Sequence, residues 1–351
     1  MKITKIFTPG HGLFMDTLIM YGLFEAISSS NLSCELEGLG GLFCLSVNAD
    51  IDVIGEALAN AAWKRIEETL DLLINRARVV MKSSKRGLEG ALKSICDKST
   101  CINYLERLLK PGHADREGRG SKGTTVWLPL SPYLGKYLTG EYKYLARRYA
   151  ACPQCIAAAA LGASSMMIPV TFRRRTNMIL LTFDGEILCE TMNVVRKFIH
   201  GPEMDQAKNE LSRHIEDLPL STFTNLIITL FSGDVVVALA DSNASWRALS
   251  TTFEIVKVPQ IRGYEEISID PVIDALKRIY VEGEVGTFDA LQIIVRRLAR
   301  LKDIASLDAL FRYLFTRRIN DLYMFARLAS GTLDRGLGVN LCKELVKLAV
   351  A

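Results

Sequence analysis

The sequence predicts an α+β fold, with mixed helices and antiparallel sheet in the N-terminal and central region and a helical subdomain at the C-terminal end. Three observations predict it. Short alternating segments are separated by Gly-rich or Asp-Gly turns, apolar residues elsewhere recur at helical spacing, and the pattern is helical from Asp270 onward. The 351 residues are 49% hydrophobic, which is enough for a sizeable core. We divide the chain into a mixed α/β domain at 1–264, with a helical insertion at about 50–163, and a helical subdomain at 265–351.

The chain begins with a strand, a helix and a hairpin. Residues 2–7 alternate as a strand, and residues 13–29 repeat apolar side chains at helical spacing. The segment 32–47, LSCELEGLGGLFCLSV, alternates around a Gly-rich centre and predicts a hairpin. Cys34 and Cys44 lie on its two arms, where they could face each other.

Helices dominate the insertion. Asp50 or Asp52 can cap a long helix that continues to about residue 83. A second helix at about 86–109 stops at Lys-Pro-Gly, and the simplest arrangement of the two is antiparallel. The helices expected after it span about 131–150 and 153–163.

The central part returns to strands. The segment MMIPVTFRRRTNMILLTFDGEILCETMNVV predicts three short strands, with turns at 174–177 and 184–185, because Asp-Gly is a strong hairpin dipeptide. Mixed helix and strand follow at 203–258. The C-terminal helices are expected at about 270–281, 287–302, 305–318, 320–329 and 335–348.

Positive charge is concentrated in one part of the chain. The formal net charge is +4, yet residues 1–59 hold 2 basic and 7 acidic side chains whereas residues 60–149 hold 18 and 9. The rest is balanced, with 10 against 11 at 150–264 and 13 against 12 at 265–351. Such an excess fits a polyanionic partner such as nucleic acid, although solvated helices rich in Lys and Arg would produce the same count.

Two basic segments are candidate nucleic-acid contacts. The segment 110–123 mixes glycines with cations and is typical of a loop, and the run Arg173-Arg174-Arg175 falls at a hairpin turn between apolar strands. A protruding basic turn suits a phosphate backbone, while solubilising charge is the plain alternative. The candidate contact residues are Lys110, Arg116, Arg119, Lys122, Arg147, Arg148, Arg173, Arg174 and Arg175.

The stretch FTPGHGLFMD at residues 7–16 places a Gly-His-Gly turn between a strand and a helix, where a phosphate loop or a catalytic histidine would lie. It lacks the third glycine of a dinucleotide fingerprint and the lysine of a P-loop, so a tight turn is the favoured interpretation. No sequence signal joins His11 to His113, His200 or His214 as a catalytic partner.

The cysteines offer a possible metal site. Cys152-Pro-Gln-Cys155 has the spacing of half a zinc knuckle, and Cys96 with Cys101 could supply the other half of a four-thiolate structural zinc site. A disulfide and ordinary buried thiols are the alternatives.

The sequence also indicates a cytoplasmic protein. Eight cysteines in a chain without a recognisable signal peptide are typical of a reducing compartment, although hyperthermophiles are an exception. The longest apolar stretches, at about 153–170 and 222–240, are broken by Pro, Ser, Gly and Asp residues, so we expect no transmembrane helix.

The stretches FTPGHGLFMDTLIMYGL and ACPQCIAAAALGAS, with the helical C-terminal third, give the chain a resemblance to a known family. It resembles the large subunit of archaeal type I-A CRISPR interference complexes, the Csa-four type of the Cas-eight class, over most of its length. The resemblance implies a non-enzymatic subunit of the Cascade complex, which helps recognise the motif flanking a DNA target and stabilises the opened strands.

The partners that the resemblance implies are double-stranded target DNA, crRNA, the other Cascade subunits and the helicase-nuclease that cuts, with no membrane. Because the guide RNA reads the target by base pairing, such a subunit needs basic grooves rather than a catalytic constellation. The alternative function is an enzyme acting on RNA or a nucleotide, with His11 near the helix N-terminus.

Overall fold

The computed structural model describes residues 3–116, 124–125, 150–255, 259–332 and 335–350 of the chain. Their strands are β1 (Thr4–Phe7), β2 (Cys34–Gly38), β3 (Phe43–Val47), β4 (Thr124–Thr125), β5 (Ala150–Ala151), β6 (Ile168–Phe172), β7 (Arg175–Leu188), β8 (Asn243–Ile255) and β9 (Pro259–Ser268). The α-helices of the first 200 residues are α1 (Leu13–Ser29), α2 (Ile51–Leu70), α3 (Lys85–Lys93), α4 (Lys98–Arg107), α5 (Pro153–Met166) and α6 (Cys189–Ile199). The remaining ones are α7 (Pro202–Ser212), α8 (Leu220–Thr229), α9 (Gly233–Ala240), α10 (Asp270–Glu282), α11 (Thr287–Arg300), α12 (Ile304–Thr316), α13 (Ile319–Ala329) and α14 (Arg335–Val350). The fold is α+β, as predicted.

One antiparallel sheet organises the described strands. Its order is β1-β3-β2-β7-β8-β9, and β6 pairs with the N-terminal half of β7. β7 is the longest strand. β8 pairs with one of its edges from Arg175 to Glu186, while β6 and then β2 pair with parts of the other edge. The hairpin predicted at 32–47 is confirmed as β2 and β3.

The turn predicted at 184–185 is wrong. Gly185 does have a positive φ of 104°, but the register with β8 continues from Asp184 opposite Ser245 to Glu186 opposite Asn243. The Asp-Gly dipeptide therefore lies inside one 14-residue strand. The glycine is needed there because a Cβ at position 185 would collide with the backbone of β8.

Helix α1 lies between the sheet and α5. The hydroxyl of Tyr21 donates to the carbonyl of Leu181 on β7 at 2.7 Å. On the opposite side, a Cβ at Gly22 or Gly162 would collide with the backbone of the facing helix, so the two helices touch backbone to backbone. The alanine run of α5 is therefore a close-packing surface, and every residue from Cys155 to Met166 is buried.

The insertion has more helices than predicted. α2 continues as a π-helical turn over Asp71–Arg76, and the helix expected at 86–109 is divided into α3 and α4. The division falls at Asp97, whose carboxylate accepts a hydrogen bond from the Thr100 amide at 2.8 Å and caps α4. The helix predicted at about 131–150 lies outside the described residues, apart from Ala150 in β5.

The predicted C-terminal helices are confirmed as α10 to α14. The division of the chain at residue 264 remains a prediction, although that residue lies within β9 and the hydrophobic core includes residues from both sides of it. Among the described residues, no single helix is long and apolar enough to cross a membrane, and α8 with α9 reaches that length and composition only as a pair bent by 103°.

Candidate nucleic-acid interface and metal centre

The arginine run forms a tight turn between β6 and β7. Arg173 has a left-handed φ of 52°, and its side chain is 71% exposed with the guanidinium 5.0 Å from the centre of the Phe172 ring. Arg174 is also exposed, whereas Arg175 is half-buried as the first residue of β7 and donates from Nη1 to the carbonyl of Glu216 at 3.4 Å. Two of the three predicted arginines therefore project, and the third anchors the turn.

Two further arginines lie beside this turn. Arg78 donates from Nη1 to the carbonyl of Arg173 at 3.2 Å, and Arg76 ends the π-helical turn that leads into it. We call Arg76, Arg78, Arg173 and Arg174 the arginine edge. All four are exposed. In the part of the chain that the structure describes, Arg76, Arg78 and Arg174 make no ion pair, and Arg173 reaches Glu216 at 3.9 Å.

A polar cavity of about 540 Å³ adjoins the arginine edge. Thr171 of β6, Arg76 and Lys208 of α7 are among the residues that line it. Burial lowers the pKa of the Lys208 ammonium and the nearby Arg76 lowers it further, while Asp205 opposes the change with an ion pair of 3.2 Å. Arg76 and Lys208 line this cavity together with two carboxylates, Glu68 and Asp205, and with His200.

Three cations in and just after α11, by contrast, are paired with carboxylates. Arg296 and Arg300 of α11 both lie 3.3 Å from the carboxylate of Glu210, and Lys302 lies 2.9 Å from Asp217. These ion pairs join α11, and Lys302 just after it, to α7 and to Asp217 in the segment after α7. Arg76, Arg78 and Arg174 differ from these three because they make no ion pair among the described residues, as is also the case for other exposed cations such as Lys82 and Arg86.

The structure describes only some of the other predicted contact residues. Lys110 is exposed and lines a cavity of about 420 Å³ with Arg107 and His113. Arg116 ends a short 3₁₀ turn over His113–Arg116. Arg119, Lys122, Arg147 and Arg148 lie outside the described residues. Their role in binding remains a prediction.

Three of the residues that can ligate a metal come together at the start of α5. Cys152 caps the helix, and its Sγ lies 3.7 Å from Nε2 of His113 and 3.4 Å from the amide nitrogen of Cys155. The ligating atoms of His113, Cys152 and Cys155 all lie within 4.8 Å of one another. A set of two thiolates and an imidazole is compatible with zinc.

Cys96 and Cys101 are not members of this group. The Cys96 thiol donates to the carbonyl of Leu92 at 3.4 Å, and the Cys101 thiol donates to that of Ile95 at 3.1 Å. Burial raises the pKa of Cys101 to about 12, which keeps it a thiol. The structure therefore does not bring Cys96 and Cys101 to Cys152 and Cys155, as the sequence predicted. The side chain beside Cys152 is instead His113, 39 positions away in the sequence.

The cysteines of the first hairpin, Cys34 and Cys44, also depart from expectation. Cys34 is opposite Val47 in the hairpin and Cys44 is opposite Glu37, so the two do not face each other. Instead, a disulfide joins Cys34 of β2 to Cys189 at the start of α6. The expectation of reduced thiols is therefore wrong for this pair.

The Gly-His-Gly turn surrounds a buried carboxylate. Asp16 in the first turn of α1 accepts a hydrogen bond from the Gly10 amide at 2.8 Å and has no exposed surface. Burial raises its pKa to about 6, and hydrogen bonds from the turn and from Thr8 oppose that increase. His11 is 6% exposed, and the turn is held against the residue after His113 by a hydrogen bond from the Ala114 amide to the Pro9 carbonyl. The favoured interpretation as a structural turn fits these contacts.

Sequence reasoning did not place Arg76, Arg78 or Lys208 near the arginine run, or His113 beside Cys152. Arg76 and Arg78 were visible as part of the basic middle segment, but nothing in the sequence placed them beside Arg173. Only the antiparallel pairing of β6 with β7 brings that turn to the end of the α2 helical run.

The fold and the site together define an α+β protein with an exposed basic edge and a compact Cys-His group. The family model described as CRISPR-associated protein (Cas_Csa4) matches residues 4–337. The chain therefore belongs to this family of CRISPR-associated proteins. It is also similar to the protein named CRISPR system associated protein Cas8 from Thermoproteus tenax, with 23% identity over 203 residues. That alignment covers 49% of this chain and 54% of the relative, so the chain spans about half the length of the curated relative that it matches.

Proposed function

We propose that this chain is a non-enzymatic nucleic-acid-binding subunit of an archaeal type I-A CRISPR interference complex, which acts in antiviral defence in the cytoplasm. In this role it assists target recognition and stabilises the opened DNA strands beside the crRNA, together with the other Cascade subunits and the helicase-nuclease. Membership of the Cas_Csa4 family supports the setting in a CRISPR system. The finer role is our inference from the charged surface.

The observation that carries the proposal is the arginine edge. Three exposed guanidiniums without ion-pair partners in the described structure, Arg76, Arg78 and Arg174, lie around one turn next to a polar cavity. Holding like charges together without counter-charges costs free energy, so such a group is expected where an anionic partner supplies the missing charge. Guanidinium groups bind phosphate oxygens in a bidentate manner.

The geometry favours this function over the alternative of an enzyme centred on His11. A general base has to reach its substrate, whereas His11 is 6% exposed and belongs to a turn that hydrogen-bonds with a buried carboxylate. The Cys-His group lies at a helix start beside packed core residues, which fits a structural part in this function.

The test is a binding titration of the purified chain with fluorescent double-stranded and single-stranded DNA over a range of salt concentrations. Replacing Arg173 and Arg174 together by Gln should weaken binding roughly tenfold and reduce the slope of log affinity against log salt by about 2, since each lost phosphate contact removes about one released counterion. The matched control is Arg312→Gln with Arg327→Gln, which removes the same charge from exposed positions of α12 and α13.

A double variant that binds as tightly as the control pair, with the same salt slope, would contradict the proposed role of the arginine edge. The same measurement in the assembled, guide-loaded complex separates two sources of phosphate. A loss confined to target-DNA binding supports contact with target strands, whereas loss of guide RNA from the complex would reassign the arginine edge to crRNA.

A further inference from the structure

The distances within the Cys-His group are compatible with a zinc centre. In a tetrahedral zinc site with bonds of about 2.3 Å to sulfur and about 2.0 Å to nitrogen, those two ligand atoms lie about 3.6 Å apart. The observed separation between Cys152 Sγ and His113 Nε2 is 3.7 Å. Cys155 Sγ completes a set in which all three ligand atoms lie within 4.8 Å of one another.

The surroundings stabilise the thiolate forms that zinc requires. Cys152 occupies the N-cap of α5, a 14-residue helix whose N-terminus favours negative charge, and the Cys155 amide donates to its sulfur. The hydroxyl of Tyr104 on α4 lies 3.6 Å from Cys155 Sγ and can donate to it. Hydrogen bonds of this kind orient metal ligands and adjust their affinity.

The three residues of the Cys-His group are buried to different extents, and this pattern suits a structural ion. Cys155 has no exposed surface and His113 is 8% exposed, while Cys152 is half-buried and marks the side open to solvent. Among the described residues, these three are the protein ligands of the group. A tetrahedral site would take one further ligand.

We propose that His113, Cys152 and Cys155 bind one Zn²⁺ ion, which fastens the turn after α4 to the start of α5. This assignment is independent of the nucleic-acid role, because none of its ligands belongs to the arginine edge. It also reassigns the predicted four-cysteine site, since His113 replaces Cys96 and Cys101. Zinc is favoured over harder cations such as Mg²⁺ because two of the three ligands are thiolates.

The experiment begins with the full chain, purified without chelator and then dialysed against Zn²⁺ followed by metal-free buffer, with the metal content measured by mass spectrometry. The expected result is one zinc ion per chain. His113→Ala and Cys152→Ser should each lose it, while Cys96→Ser, the matched control at another half-buried cysteine, should retain it. Tyr104→Phe should keep the site but weaken zinc affinity about tenfold.

A second measurement on the unaltered chain keeps the test valid if a variant fails to fold. Zinc should slow alkylation of Cys152 by iodoacetamide about tenfold or more relative to the chelated protein, since a coordinated thiolate is a poor nucleophile. Cys96, which is similarly exposed in the same molecule, should react at an unchanged rate. Absence of stoichiometric zinc, equal alkylation of Cys152 with and without zinc, or zinc loss in Cys96→Ser would each overturn the assignment.

Discussion

Two groups of arginines on neighbouring parts of the molecule have opposite surroundings. Arg65 of α2 and Arg196 of α6 converge on the buried carboxylate of Glu25, at 2.6 and 2.9 Å, and the Ser165 hydroxyl donates to the same carboxylate at 2.6 Å. We call this the Glu25 cluster. Arg76, at the end of the π-helical turn that continues α2, and Arg78, just after it, follow Arg65 in the chain, yet they remain exposed and make no ion pair among the described residues.

The difference teaches that burial and pairing, and not the number of arginines, decide what a basic residue does. In the Glu25 cluster the two arginines neutralise the desolvated carboxylate, and the ion pairs and the Ser165 hydrogen bond together connect α1, α2, α5 and α6. At the arginine edge the one ion pair in the described structure is the exposed contact of Arg173 with Glu216 at 3.9 Å, so these charges contribute little to folding and are available to a ligand. The following predictions test this contrast between structural and functional arginines.

Glu25→Ala should have the largest effect. The substitution leaves Arg65 and Arg196 without their shared partner, and removal of one member of a buried ion pair typically costs 3–5 kcal/mol, so we expect a loss of about 3 kcal/mol in the free energy of unfolding. Urea denaturation measures it. The matched control is Glu68→Ala, which removes a 47% exposed partner of the same Arg65 and should cost less than about 1 kcal/mol. Equal losses in the two variants would contradict the structural role of the cluster.

The pH dependence of stability should separate Glu25 from Asp16. Burial raises the pKa of Glu25, but Arg65, Ser165 and Arg196 together lower it to about 2. Its stabilisation is therefore present above its unfolded pKa of about 4.5 and is lost as pH falls towards 2. Asp16 has the opposite sign, because its folded pKa is raised from 3.8 to about 6. Its contribution is complete below about pH 4 and is lost as pH rises through 6.

Each of these carboxyl groups should change the free energy of unfolding by roughly 3 kcal/mol across its own pH window, at about 1.4 kcal/mol per pKa unit. Denaturation curves from pH 2 to 8 measure both. Glu25→Gln should flatten the acid limb below pH 4.5, and Asp16→Asn should flatten the change between pH 4 and 6. If Asp16→Asn leaves that second interval unchanged, the turn at Gly10 does not bury a titrating carboxyl group.

Arg174→Gln should have the smallest effect on folding. Its side chain is exposed and makes no ion pair in the described structure, so the free energy of unfolding should change by less than about 0.5 kcal/mol. Arg65→Gln, the comparison within the Glu25 cluster, should destabilise the protein clearly. Thermal unfolding of both variants checks the contrast, and a large loss for Arg174→Gln would show that this arginine is part of the fold.

Local patterns predicted much of the fold. The helix at 13–29, the first hairpin and the five C-terminal helices follow from apolar periodicity and turn residues, which act over a few neighbouring positions. The Asp-Gly turn failed because Gly185 has the conformation of a turn residue but lies in a strand covered on both edges. That arrangement depends on β2 and β8, which are distant in sequence.

The candidate sites show the same limit. The sequence alone indicated the CxxC pair, the arginine run, the basic middle segment and the family resemblance. All of these are features of composition or of spacing within short stretches. Tertiary structure brought His113 to Cys152, Arg78 to Arg173 and Cys34 to Cys189. The reason is physical. The type of a side chain determines its chemistry. Its partner depends on the packing of helices and the register of strands, and these depend on contacts over the whole chain.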